Sequence, residues 1–320
     1  MNIITTQSGS VTTPSFSIKI SQVGPRTSNF IAAGTFIDPD FVSWLTAVQA
    51  TGGTITLANQ TAFNNAFLAL KNTNAQDGNS LWSHINQGYF FIGQESLTNG
   101  LFVPFYNTNT GSGLQPINVS PATNYNFTSY TKKRGLAGDG ASTYIDTGID
   151  NSNTTAWPST SPFRHGYVYL DNGTVPGGGI AGFPFGTVIG GTTGLTARTF
   201  QASIYNNTNT VTGRIWNDSS QTAVVNFTQS VIQNGGWGIP ITYSAGGQNQ
   251  TVAAGTGQYT NVATANPVSS GLVQSNILIG RTSQNYSGSN IIAATFGTSI
   301  TGNDFASIDN IVNNLISQLS

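Results

Sequence analysis

Cysteine is absent from the 320 residues, which excludes a disulfide framework and thiolate chemistry. Charge is almost as scarce: Asp, Glu, Lys and Arg make up 7% of the chain, against roughly a quarter in ordinary domains. A net charge of −1 supplies no field to steer a polyanion, so nucleic acid is not an expected partner. Glu95 is the only glutamate, and the two histidines, His84 and His165, stand far apart with no ligand spacing around them. A zinc site or a Ser-His-Asp triad is therefore not expected. No run of eighteen apolar residues occurs, so membrane insertion is not expected. The first twenty residues show neither a charged leader nor an apolar core, so export by the usual secretory route is not expected either.

What is present is neutral and turn-forming: 38 Gly and 12 Pro among abundant Thr, Asn, Ser and Gln. Thr favours strands, while Asn and Gly favour turns. This is the makeup of a turn-rich β protein whose surface is hydrated by neutral hydrogen-bonding groups and should respond little to salt. Residues 1–33 read as a polar arm with one alternating segment at 16–20. Residues 34–95 read as a helical subdomain. There Asp38 and Pro39 look like an N-cap and first helical residue, followed by Phe41, Trp44, Leu45 and Val48 at helical spacing, with Gly52 and Gly53 as the stop. A second helix carries Ala62, Phe63, Ala66, Phe67 and Leu70, and a short third covers 81–85 before the apolar run 89–92.

From residue 96 onward, short alternating runs are broken every eight to twelve residues by turn formers, the spacing of a sandwich. Strands are expected at 142–147, 166–170, 200–205, 212–216, 222–227, 236–243, 276–280 and 290–296. Residues 302–319 should form an amphipathic helix. Phe305, Ile308, Ile311, Val312, Leu315, Ile316 and Leu319 share one face, and Ser307, Asp309, Asn310, Asn313, Asn314 and Ser317 the other. Such a helix is marginal alone and must dock. The expected fold is mainly β, a jelly-roll sandwich spanning 96–320 and closed by that helix.

The segment Lys133-Arg-Gly-Leu-Ala-Gly-Asp-Gly-Ala-Ser-Thr-Tyr-Ile-Asp-Thr-Gly148 resembles the G-D-G-x-S-x-Y-x-D-T opening strand of concanavalin-like, laminin-G-type jelly rolls in tailed-phage structural proteins. Leu81-Trp82, Ile85 and the aromatic run 89–92 precede it. The strand ending in Gly280-Arg281 comes after it, and then the closing strand and helix. The similarity covers roughly residues 36–320. It implies a virion component, in a tail, fibre or head decoration, made in the host cytoplasm and released by lysis. Its implied partners are copies of itself, other particle proteins and host surface polysaccharide. An alternative reading is a carbohydrate-binding adhesin or receptor-binding lectin. A polysaccharide depolymerase is the third.

Glycoside hydrolysis needs a pair of carboxylates, and beside the single glutamate only Asp139, Asp146 and Asp150 cluster along one strand. No catalytic residue is assigned, and no cofactor. Calcium asks for six to eight oxygens; Asp139, Asp171 and Asp218 are the candidates, with Asx turns as the competing account. For glycan contact the aromatics Trp157, Tyr286 and Tyr205 lie in or beside loop-like segments, although most aromatics must be core. Phe102 and Phe105, together with the N-terminal arm, are the expected assembly contacts. Lys132 to Arg134 reads as a solvated turn.

Overall fold

The computed structural model describes residues 36–106, 122–150, 163–171, 276–281, 288–298, 300 and 302–320, together with the strand backbones between 182 and 265. The arm at 1–33 lies outside the described residues. By Cα proximity, Ile31–Ser320 form one compact unit and Met1–Phe30 another. All the elements with described residues belong to the first of these units.

Helix α1 (Pro39–Ala50) starts where a carboxylate can hold its orphan amides: Asp38 accepts from the backbone N of Asp40 at 2.9 Å and of Phe41 at 3.1 Å. Helix α2 (Leu57–Asn72) is capped by Thr56, and the one-turn α3 (Leu81–His84) by Ser80. Lys71 bridges the carboxylates of Asp38 and Asp40 and lies 4.9 Å above the Trp82 ring. Desolvation works against its charge, yet the bonds to Asp38 and Asp40 outweigh it and raise the ammonium pKa.

The strands are β1 (Ile85–Phe90), β2 (Phe105–Tyr106), β3 (Thr123–Tyr125), β4 (Tyr130–Thr131), β5 (Gly135–Ala137), β6 (Tyr144–Asp150), β7 (Phe163–Asp171) and β8 (Gly182–Thr187). They continue as β9 (Phe200–Tyr205), β10 (Thr210–Ile215), β11 (Val224–Thr228), β12 (Gly235–Thr242), β13 (Gln250–Ala254), β14 (Ala263–Ala265), β15 (Asn276–Ile279) and β16 (Asn290–Thr298), before helix α4 (Gly302–Gln318). All eight strands expected from alternation are present, with bounds shifted by a few residues. Two antiparallel sheets result. The first runs β14-β13-β12-β7-β16-β1-β2, with β5 pairing to β16 and β4, and the second runs β11-β10-β9-β8-β15-β6-β3.

The two orders match position by position. Strand β7 approaches β8 across the gap, β12 approaches β9, β13 approaches β10 and β14 approaches β11. The chain therefore steps from sheet to sheet at β6–β7–β8 and again at β15–β16, as jelly-roll sandwiches do. From β1, Tyr89 reaches the carbonyl of Thr147 on β6 with its hydroxyl. The protein is mainly β, a sandwich of two antiparallel sheets.

Strand β1 belongs to this sandwich although it precedes residue 96, since it sits between β16 and β2. Alternation could not mark it, because both of its faces are covered. Tyr89 turns toward the second sheet, while Phe90 meets the helices, 5.6 Å from Phe63 and 6.3 Å from Phe67 between ring centroids. Phe67 is fully buried among Phe41, Trp44, Trp82, Phe90 and Phe105. The helices and the first sheet thus share one core.

Helix α4 runs along β7. Phe305 stacks on Tyr167 at 5.7 Å, the Tyr167 hydroxyl donates to Asp309, and the Tyr169 hydroxyl donates to Asn313 at 2.6 Å. Two residues of strand and four of helix advance by nearly the same length, which keeps these rungs level. Asp309 is consequently buried at 5% exposure. That corrects its expected place on the solvent face: a tyrosine ladder beneath the helix supplies a polar partner that helical periodicity does not reveal.

Candidate functional site

The outer side of the second sheet ends at strand β3. Along β6, Ile145 and Thr147 point inward and are buried, while Tyr144 and Asp146 alternate to the outside. In the β3–β6 register Tyr125 lies directly opposite Tyr144. Their rings stack at 4.2 Å between centroids with planes 6° apart. The Arg281 guanidinium carbon lies 4.6 Å from the centre of the Tyr144 ring. Arginine, tyrosine and tyrosine thus form a ladder that runs from the segment just after β15 across β6 to β3.

Tyr125, at the outer end, keeps 37% of its surface exposed; among the described residues only Phe36 and Leu57 are comparably exposed large apolar side chains. Next along the face, Asp146 accepts from Asn276 Nδ2 at 3.2 Å and from the Gly148 amide at 2.9 Å.

Local turns hold the ladder. After Tyr125 the chain reverses at Asn126, which adopts φ 63°, a conformation that asparagine tolerates better than most residues. Asn124 Oδ1 accepts from Phe127 N at 3.1 Å, and Asn126 Nδ2 donates to Ser142 O at 3.3 Å, tying the β3 turn to the start of β6. Just before Tyr144, the Asp139 carboxylate accepts from the amides of Ala141, Ser142 and Thr143 and from the hydroxyls of Ser142 and Thr143, at 2.6–3.0 Å. Partial desolvation opposes its ionisation, but the Ser142 hydroxyl and the amide donors prevail and hold the carboxyl well below the usual carboxylate range.

The same contacts give the surroundings of several sequence candidates. Asp139 organises its own turn: Oδ1 takes the three amides and the Thr143 hydroxyl, and Oδ2 takes the Ser142 hydroxyl. Asp171 pairs with Arg134, and Glu95 with Lys132 at 2.8 Å. Asp218, Trp157 and Tyr286 lie outside the described residues. Tyr205 ends β9, whose backbone alone is described. Among the described residues no group of three or more His, Cys, Asp or Glu is placed to hold a metal ion.

Phe102 and Phe105 are each 1% exposed. Phe105 stacks on Phe90 at 4.7 Å with its ring over Gly88, and Phe102 lies 6.3 Å from Phe91. Both fill the chain's own core, which corrects the expectation that they form surface contacts.

Tyr144 was legible as an outward residue, because it occupies the polar positions of the alternating run 142–147. Tyr125 was not: its strand is three residues long, and two other short strands, β4 and β5, stand between it and its partner strand.

No protein-family model matches the chain, and no curated protein sequence matches it. Several solved structures are similar to parts of the chain. The carbohydrate-binding module CBM40 of the Ruminococcus gnavus IT-sialidase aligns over 54% of this chain and 93% of its own, with 13% identity and a TM-score of 0.36. A Trypanosoma rangeli sialidase aligns over 80% of this chain and 38% of its own, with 9% identity and a TM-score of 0.42. The binding domain of botulinum neurotoxin serotype D/C aligns over 74% and 53%, with 10% identity and a TM-score of 0.41. Likeness at this level carries no argument about a ligand, and the fold class rests on the chain's own strand order.

Proposed function

We propose that this chain is a non-enzymatic saccharide-binding sandwich that works as a component of a tailed-phage particle, with the Tyr125–Tyr144–Arg281 ladder as its contact surface. The observation that carries the reading is the stacked tyrosine pair at the sheet's edge, whose outer ring remains exposed. Stacked on one side by Tyr144, Tyr125 presents its other side to the apolar face of a sugar ring. Aromatic rings joining an apolar body to a polar tip suit partners of that kind. Asp146, Asn276 and Thr123 lie alongside, with groups that can bond hydroxyls.

Support for the particle comes from the motif similarity. Its segments meet in space: β5 pairs with β16, β6 with β15, and β1 with β16. In this reading the chain meets copies of itself and other particle proteins, and host surface polysaccharide is the glycan source.

A glycan array and a host-adsorption assay test the contact. Wild type should bind, and Tyr125→Ala should weaken binding about tenfold, the order of one lost aromatic contact. Unchanged binding in Tyr125→Ala would remove the ladder from the site. Release of reducing ends from host polysaccharide by the purified protein would overturn the non-enzymatic reading. Absence of the chain from purified particles by mass spectrometry would overturn the virion reading.

A further inference from the structure

The only two histidines of the chain meet on one residue. Thr298 ends β16, four residues before α4 begins. His84 Nδ1 lies 3.2 Å from its side-chain Oγ1, and His165 Nδ1 lies 2.6 Å from its carbonyl. His165 is fully buried. Its Nδ1 must carry the proton that the Thr298 carbonyl accepts, and its Nε2 then accepts from the Thr295 hydroxyl at 3.1 Å. The ring is thus built for the neutral state. Phe305, in the first turn of α4, lies over it at 6.1 Å between centroids.

We propose that His165, held on Thr298 beside His84, is an acid-operated latch that frees helix α4 from the first sheet when His165 takes up a proton. The charged and titratable groups around His165 set this response. On α4 these are Asp304, which accepts from the Gln76 amide at 2.9 Å, and Asp309, which accepts from the Tyr167 hydroxyl. On α3 it is His84, whose Nε2 lies 3.2 Å from Asp77. Strand β7 itself adds Tyr167 and Tyr169. Strand β16, which carries no titratable side chain, supplies the Thr295 and Thr298 contacts, and β12 places Pro240 opposite in register.

Both ring nitrogens of His165 are already engaged, by the Thr298 carbonyl and the Thr295 hydroxyl. An imidazolium there would have to donate from both nitrogens, and the Thr295 hydroxyl would have to reverse from donor to acceptor. Lifting the first turn of α4 and the Thr298 corner brings water to the ring instead.

Burial, with the charge of His84 adding to it, lowers the His165 pKa from its ordinary value of 6.5 to about 4. The sign follows from the depressed value. Docking is at full strength above about pH 6.5, and weakens by up to about tenfold per unit as pH falls toward 4. The whole window spans a few hundred-fold.

Hydrogen exchange on the full chain between pH 7.5 and 4.5, expressed as protection factors, tests the latch. Protection across 302–318 should fall about tenfold per unit below pH 6.5, while β6 and β15 keep theirs. His165→Gln should flatten the response, and His84→Gln should retain most of it. With only two imidazoles, an NMR titration of the wild type needs no variant: the buried ring should titrate well below its ordinary 6.5. Flat protection of α4, loss of β6 and β15 in step with it, an unchanged slope in His165→Gln, or a buried ring titrating at its ordinary value would each overturn the proposal.

Discussion

Asp139 shows how one residue type can suggest several chemistries and perform another. Three amides and two hydroxyls converge on its carboxylate, so Asp139→Ala should cost about 1 kcal/mol, a typical value for a lost capping side chain. The expected readout is a lower thermal midpoint with the strand content unchanged in circular dichroism. Because the carboxyl is held below its usual range, its contribution is present above about pH 4 and is lost as pH falls further. Millimolar calcium should leave the midpoint unmoved, since an ion at Asp139 would compete with the five turn bonds its carboxylate already accepts. Tyr144 and Tyr125 differ in a telling way: alternation alone turns Tyr144 outward, whereas Tyr125 acquires its role only through pairing with β6.

Among the elements, β5 and α4 both pack on the first sheet, β5 along β16 and α4 along β7. Gly135 adopts φ 75°, and a Cβ there would stand 2.0 Å from the carbonyl oxygen of Ile291 on β16. Gly135→Ala therefore combines an unfavourable backbone with a clash against a paired strand. The expected loss exceeds about 2 kcal/mol in chemical denaturation. Beneath α4, Tyr169→Phe on β7 removes the bond to Asn313, and burial has already pushed that phenol up to about 12. The expected cost is about 1 kcal/mol, the ordinary net worth of such a bond. It should show as faster hydrogen exchange within α4. The apolar stripe of this helix was plain in the periodicity of Phe305, Ile308, Val312 and Leu315. The inward turn of Asp309 was not, because periodicity ranks hydrophobicity and cannot see a hydroxyl waiting on a strand.

For the unit Ile31–Ser320 as a whole, stability rests on apolar packing more than on charge. Phe67, fully buried and ringed by five aromatic side chains, is the place to test this. Phe67→Ala should cost about 3–5 kcal/mol in denaturant unfolding, as large-to-small changes in cores do. Raising salt from roughly 0.05 to 1 M should move the thermal midpoint little, because exposed pairs such as Lys132–Glu95 contribute little that screening can remove. Periodicity, caps and turn residues were enough to specify the helices and eight strands, since each depends on neighbours a few positions away: Asp38 caps the helix that follows it, and alternation turns Ile145 inward beside Tyr144. Strand order, the burial of Phe102 and Phe105, the meeting of two histidines on Thr298 and the tyrosine ladder came only with the folded chain. Those features join residues tens to hundreds of positions apart, and no local propensity encodes which distant backbone will arrive to pair.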